Sequence, residues 1–489
     1  MCDRGRYARG PRGQPELLDR SVSEAGAGSV RQEGCARRQV QRFAAHQARG
    51  TTGRSFSRGR RLARPTKLVQ KRGYGALRRV PGFAQLYVSL LLGRLGGAML
   101  AITLILFVLA RYHSPQLAGF TAFLAIFPGL VVSPIAGALL DRRGRVRFIT
   151  LDYLVATGSV LLIAGLAARN TLPAPLLLVI VGVSSLTNPL SNTGLRSLFP
   201  IVVPRELWER ANALDSSGYL ISSLVGAPLA GALISLVGAE WTLAFTAALF
   251  AISAVAIFGL HDPSQKSATG RSILGDAWSG LVYVWRSATL RGLAITLSTL
   301  NVGWGILEIA IPVLVLSRLH QGPAAVGSLW GLMGVGGLAA TLVSGRFKTE
   351  GRERQLMLGS IVIEAVALVA VPFAQSYWVV AAVMVVVGIS NGPFDIGMFT
   401  LRQRRTDPAW FGRAFAVSMS LNFVGMPIGS ALAGSLIGLS LNVALWAAVA
   451  FTVIAGVFLL LTIPRGEEEG AASLRSGRSQ TAQPDQPAH

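Results

Sequence analysis

Few ionisable or amide side chains fall inside the long apolar runs of this chain. Each is a candidate for chemistry, because a charge or strong dipole in such surroundings costs several kcal/mol unless it is paired or hydrated. Arg94 lies well inside the first run, where it could face a central cavity or pair with a neighbouring acid. Glu308, near the middle of the seventh run, is a carboxyl that can gain and lose a proton, or else a structural acid bonded to Asn301 or a serine. Asn188 with Asn192, and Asn391 with Asp395, are spaced i, i+4, so each pair shares one face of its helix. Such a face can line a polar path or hold two helices together by hydrogen bonds. Asp152 and Asp215 stand closer to the ends of their runs and are expected in gate pairs, whereas Glu364 is expected to be structural. This inventory suits proton exchange and polar recognition, not covalent catalysis. The five histidines lie in loops or tails and the two cysteines, Cys2 and Cys35, lie near the N-terminus. Metal clusters, a disulfide framework, a thiol nucleophile and an embedded enzyme therefore have no support, and no cofactor is expected.

The elements that must carry these residues are helices. A chain of 489 residues that is 51% hydrophobic and only 14% charged, with 55 glycines, has the composition of a polytopic membrane protein. Twelve apolar segments recur, each near the twenty or so residues that cross a bilayer as a helix. They run about 82–110, 117–140, 147–168, 173–199, 206–236 and 241–260, then 290–317, 324–345, 355–374, 377–401, 409–438 and 441–463. Between the two sets, Leu274, Trp278, Leu281 and Trp285 fall on one helical face, a pattern suited to lying in the membrane interface. The expected organisation is a basic tail over 1–80, a six-helix half over 81–262, a linker over 263–289, a second half over 290–463 and a C-terminal tail over 464–489.

The net charge of +23 does not mark a nucleic-acid binder, because the basic residues crowd into the N-terminal tail and the short loops. That tail is rich in Arg, Gly, Ser and Gln and lacks an apolar face, so it is expected to be disordered. Upstream sequence read from a wrongly chosen start is the favoured explanation for it, ahead of a lipid-touching tail or a targeting presequence. Arginine and lysine otherwise collect in alternate loops, after the second, fourth, sixth, eighth and tenth segments. The positive-inside rule then places both termini in the cytoplasm.

The two sets of helices repeat each other. Arg210 to Ala213 and Gly226 to Ile234 realign without a gap on Arg413 to Ala416 and Gly429 to Ile437, so the fifth segment matches the eleventh. The same register places Asn188 on Asn391, Asn192 on Asp395 and Gly194 on Gly397. Gly226, Gly231, Gly429 and Gly434 are expected to let helix backbones approach closely. Pro228 and Pro427 each remove a backbone donor and should bend the fifth and eleventh helices.

Between the second and third segments stands Gly137-Ala-Leu-Leu-Asp141-Arg142-Arg-Gly144-Arg145-Val-Arg147, a short charged turn in which Gly144 is free to take a positive φ. This stretch resembles the signature loop of the major facilitator superfamily, G-x-L-x-D-R-x-G-R-R/K, with Val146 at the last basic position. Gly137, Asp141, Arg142, Gly144 and Arg145 are accordingly expected to form a gating loop. The resemblance implies an all-α fold of two parallel six-helix halves with both termini cytoplasmic. Within the superfamily, residues 81–463 look closest to the bacterial drug:proton antiporter-3 group of multidrug, macrolide and siderophore exporters. The features that carry this are Phe83-x-x-Leu-Tyr87, Gly93-Arg94, Arg210-Ala-Asn-Ala213 and Gly226-Ala-Pro-Leu-Ala-Gly231. Many members of that group carry an acid where this chain has Gly97, and the fourth segment has no embedded arginine. The resemblance implies export of a small amphipathic molecule, drug-like or siderophore, by alternating access, with the proton gradient as energy source. Arg94, Asn188, Asn192, Glu308, Asn391 and Asp395 would then serve as the substrate and proton cavity. A multi-pass monomer in the bacterial inner membrane, with a small-molecule substrate, the lipid bilayer and no nucleic acid as partners, is the corresponding expectation. A facilitator, a proton-coupled uptake carrier and a transport-inactive sensor share the same outline.

Overall fold

The structure is a computed structural model, and it describes residues 74–260, 273–344, 351–407 and 410–464. Among these residues there are twelve helices long and apolar enough to cross a membrane. In the first half the spans are Phe83–Tyr112, Pro115–Ser133, Arg145–Ala168, Ala174–Phe199, Arg210–Val237 and Ala239–Ile257. In the second they are Ala288–Arg318, Pro323–Ser344, Glu353–Phe373, Tyr377–Arg404, Val417–Leu439 and Leu441–Thr462. All twelve fall where the apolar runs place them.

Local chemistry sets several of the helix starts. Ser114 accepts a hydrogen bond from the Leu117 amide just before Pro115, which opens the second span with its φ preset. Ser287 caps the seventh span in the same way, through the Leu290 amide. Gly144 has a φ of 97°, the turn that the signature loop requires between the second and third spans. Gly351, its counterpart in the second half, also has a positive φ, 74°. Two spans are interrupted. The fourth breaks at Leu186 and Thr187, ahead of Pro189, and the eleventh breaks at Val424, ahead of Pro427. The fifth, by contrast, runs unbroken from Trp208 to Val237 with Pro228 inside it, so the expected bend produces no break there. The Pro228 ring instead fills space against Gly331 of the eighth span, where a Cβ would lie 2.6 Å from its Cγ.

The repeat in the sequence is a repeat in packing. The first span packs on the fifth and sixth, the third on the sixth and fourth, and the second on the fourth; the seventh to twelfth spans reproduce every one of these pairings. The halves meet where the second span lies on the eleventh and the fifth on the eighth. Glycines line both seams. A Cβ on Gly434 would lie 2.3 Å from Gln116 Cα, and one on Gly231 would lie 2.5 Å from the Pro323 carbonyl oxygen. Inside the halves, Gly226 abuts Ala98 at 2.5 Å and Gly429 abuts the Val302 carbonyl at 2.0 Å, again measured to an added Cβ. These four glycines are thus required by backbone approach, as expected. Large apolar side chains such as Val131, Val255, Trp378 and Leu461 stand exposed on the outside, the surface that a bilayer covers.

One boundary differs from the sequence reading, and the linker takes the helical form its pattern implies. Tyr74–Arg79, assigned to the tail, is a short 3-10 helix whose Leu77 is buried against the first span, because an apolar Leu next to a helix start has a surface to fill. The linker contains the helix Ile273–Arg286, with Trp278 and Trp285 exposed and Val284 buried on the other side. Tyr283 docks it, stacking on Trp410 at 5.0 Å and accepting a hydrogen bond from the Asp407 amide.

Candidate functional site: buried polar groups along the half-to-half seams

In the first half, the arginine of the first span is tied down. Arg94 Nη2 lies 2.8 Å from Asp215 Oδ1 in the fifth span, Nη1 donates to the Asp215 carbonyl oxygen, and the guanidinium sits 5.6 Å from the Tyr219 ring centre. The ion pair neutralises the charge, so Arg94 pairs with an acid and is not a free cation in a cavity. Asp215 therefore forms its pair inside its own half, not across the gate as expected. Asp152 does not reach across either; it is buried beneath the fourth span, facing Thr187 and Ser191 beside the break. Gly97, one turn from Arg94, is exposed, and a Cβ there would meet nothing within 4 Å.

In the second half, Glu308 is 8% exposed. Its Oε2 lies 3.2 Å from Ser430 Oγ in the eleventh span, and the same hydroxyl lies 3.1 Å from the Met426 carbonyl oxygen. A serine has one proton to give. A neutral Glu308 donating to Ser430, which donates in turn to Met426, satisfies the whole chain, whereas an ionised Glu308 competes with Met426 for that proton. Asn301 is not part of this group; it donates to the Asn422 and Leu297 carbonyl oxygens. Glu308 sits ten residues before the end of its span at Arg318, away from the signature-loop side, and not at mid-span. That position places it at the seam: the Ser430 carbonyl oxygen would lie 2.2 Å from a Cβ on Gly119 of the second span.

The amide pairs lie nearer the signature-loop side. Asn192 donates to Asn188 Oδ1 at 2.7 Å, and both are exposed. Asp395 is exposed and Asn391 half-buried on the tenth span. The glycine contacts between the halves, by comparison, run from the far ends of the spans to about their middle, at Gly334 against Leu224. The far side is thus closed along both seams. Gly137, Asp141 and Arg142 of the expected gating loop lie outside the residues whose side chains are described, while Arg145 is half-buried. No group of three or more potential metal ligands occurs among the described residues.

Two features escaped the sequence reading. Glu353, at the start of the ninth span, is buried and bridges to Arg404 at 2.6 Å. Arg402, counted with the loop arginines, is fully buried at the end of the tenth span. The repeat held a signal for it, since the register that sets Asn391 on Asn188 places Arg402 on Phe199, a helical core position.

The family model described as "Transmembrane secretion effector" matches residues 74–484. The chain belongs to the major facilitator superfamily. An MFS-type transporter of Sinorhizobium fredii (strain NBRC 101917 / NGR234) is 36% identical over 393 residues, covering 80% of this chain and 97% of that one. The multidrug efflux pump Tap of Mycolicibacterium fortuitum is 26% identical over 355 residues, 70% of this chain and 86% of its own. Among solved structures, a bacterial homologue of the human lysosomal transporter Spinster, inward-facing and unoccupied, superimposes with a TM-score of 0.64 at 15% identity, over 78% of this chain and 95% of that one. The transporter is therefore a multi-pass bacterial membrane protein that moves a small molecule and is not an enzyme.

Proposed function

We propose that this transporter exports a small amphipathic molecule, drug-like or siderophore, in exchange for protons, with both termini in the cytoplasm and Glu308 as the proton carrier. The efflux relative supports the direction of transport. Support for the carrier comes from one observation: a carboxyl with a single serine partner sits on the seam between the halves that alternating access has to part. When neutral, Glu308 lets the second and eleventh spans close on the far side. When ionised, it lacks the donors that a buried carboxylate needs, and it favours the state in which the seam opens. Protons taken up from outside would then close the far side, and their release into the cytoplasm would ready the loaded carrier to open outward. This order of events couples inward proton flow to outward substrate flow.

The test uses everted vesicles energised by respiration, with a pH-sensitive dye reporting the gradient. Adding an exported compound such as a macrolide should dissipate the gradient in vesicles containing the transporter and not in those carrying Glu308→Gln. Accumulation of the compound with no proton movement would remove the antiport reading while leaving export standing.

A further inference from the structure

Each half sets an arginine against its fifth or eleventh span, half-buried in the first and fully buried in the second, and among the described residues only the first has a counter-ion. In the first half Arg94 meets Asp215 and the Tyr219 ring. In the second, Arg402 is fully buried, with its guanidinium 5.4 Å from the Phe415 ring centre and 6.0 Å from that of Phe399. Its Nη1 lies 2.6 Å from Met419 Sδ, and its Nη2 donates to the side-chain oxygen of Asn422 at 2.6 Å once that amide is turned to satisfy both its ends. Its Nε has no acceptor. Among the described residues no carboxylate forms an ion pair with it.

The repeat shows what stands in place of the missing carboxylate. In the register that sets Arg210 on Arg413 and Gly226 on Gly429, Tyr219 falls on Asn422 and Asp215 falls on Ser418. Ser418 is fully buried and its Oγ has no partner. Phe415, Ser418 and Asn422 are spaced i, i+3, i+7, so all three lie on the face of the eleventh span that meets Arg402. The position that holds a counter-ion in one half therefore holds an unsatisfied hydroxyl in the other, on the helix face that meets Arg402. Two buried donors without acceptors, one of them charged, make a site for a group that brings both acceptors and a negative charge. The Phe399 and Phe415 rings, stacked 6.3 Å apart and half-buried, flank the guanidinium. They leave it an apolar surround of the kind that suits the organic part of an amphiphile.

We propose that Arg402, Ser418 and Asn422 form a binding site for an oxyanion group, a carboxylate, sulfonate or phosphate, with Arg402 Nε–H and Ser418 Oγ–H as the donors that hold it. The group comes either from the exported molecule, in which case the site rests on the export reading above and narrows the substrate to anionic amphiphiles, or from an anionic lipid headgroup. An oxyanion accepts charge-assisted hydrogen bonds from a guanidinium N–H and a hydroxyl and also supplies the negative charge, which a neutral group does not.

The test is a binding measurement on the purified full-length chain in non-ionic detergent, and its outcome does not depend on whether protons are exchanged. Sodium 1-naphthalenesulfonate is titrated against the neutral 1-naphthalenemethanol, with melting temperature and calorimetry as readouts. The parental chain should bind and be stabilised by the sulfonate and not by the alcohol. Ser418→Asp supplies the carboxylate of the first half; it should raise the melting temperature of the empty protein and weaken the sulfonate by about tenfold or more. Arg402→Met should fold, since apolar replacement of an unpaired buried charge is tolerated, and should show the same loss. A parallel arm compares phosphatidylcholine bilayers with and without phosphatidylglycerol. A response to the lipid that Ser418→Asp abolishes, without a sulfonate response, supports the site and assigns the oxyanion to the headgroup. A sulfonate response that is lost in Ser418→Asp and Arg402→Met supports it and assigns the oxyanion to the exported molecule. No response to either anion in the parental chain, or responses that persist in both variants, would overturn the site.

Discussion

Replacing Glu308 by Gln isolates the step on which proton coupling depends. The carboxyl is 8% exposed, takes one hydrogen bond from Ser430, and stands where the Ser430 carbonyl oxygen lies within 2.2 Å of a Cβ built on Gly119. An ionised carboxylate with one shared donor in such a seam costs several kcal/mol relative to a hydrated one. If about 3 kcal/mol of that cost is relieved when the seam parts, ionisation shifts the balance between closed and open by roughly a hundredfold. Glutamine keeps the shape and the bond to Ser430 but forfeits the shift. The opening can be read at Ala118, which is fully buried beside the second-span residues that touch the eleventh. A single cysteine at 118, in a chain with Cys2 and Cys35 changed to serine, is labelled in proteoliposomes by an impermeant maleimide applied to the far side. Because a rise in pH ionises a carboxyl, labelling of the parental chain should climb as pH is raised. In Glu308→Gln it should stay low throughout. A variant that follows the same pH curve as its parent, or a parent with no pH response, would refute this account of the seam.

The remaining predictions use other contacts. Asp215→Asn leaves the half-buried Arg94 without its counter-ion and should lower stability by about 2 kcal/mol, seen as a fall in melting temperature, with recovery in the exchanged pair Arg94→Asp, Asp215→Arg. Gly434→Ala introduces a Cβ 2.3 Å from Gln116 Cα and should hold the far side open, raising labelling at residue 118, whereas Gly158→Ala meets nothing within 4 Å and should leave labelling unchanged. Reporters fused after Arg205 and Arg405 should behave as cytoplasmic and one after Gln321 as external; a reversal in either half would contradict the positive-inside assignment.

The spans were legible because apolar length alone determines them, and the repeat because Gly226, Gly231, Gly429 and Gly434 serve the same close approaches in both halves. The turn at Gly144 was legible for a similar reason, since few other residues tolerate a φ of 97°. Pairings were not. Arg94 and Asp215 are separated by 121 residues, and only the packing of the first span on the fifth selects that acid from the others. For Glu308 the sequence narrowed the partner to Asn301 or a serine, and the geometry chose Ser430. Arg402 was misplaced because an arginine one residue beyond an apolar run reads as a loop residue; its burial depends on Phe415 and Met419 arriving from the next span. The breaks also diverged from proline content: Pro228 sits in an unbroken helix, while Pro189, to which no bend was assigned, follows a break.

The glycine-lined seams bear on how fast the carrier can turn over. Where backbone lies against backbone, as at Gly231 on Pro323 and Gly434 on Gln116, few side chains interdigitate and few rotamers have to change before the helices part. Friction at such a contact is low, so the surrounding lipid, which has to flow around the moving halves, becomes the main drag. The rate of interconversion should then respond to the viscosity of the bilayer, and stiffening the membrane would slow transport without altering the affinity for its cargo.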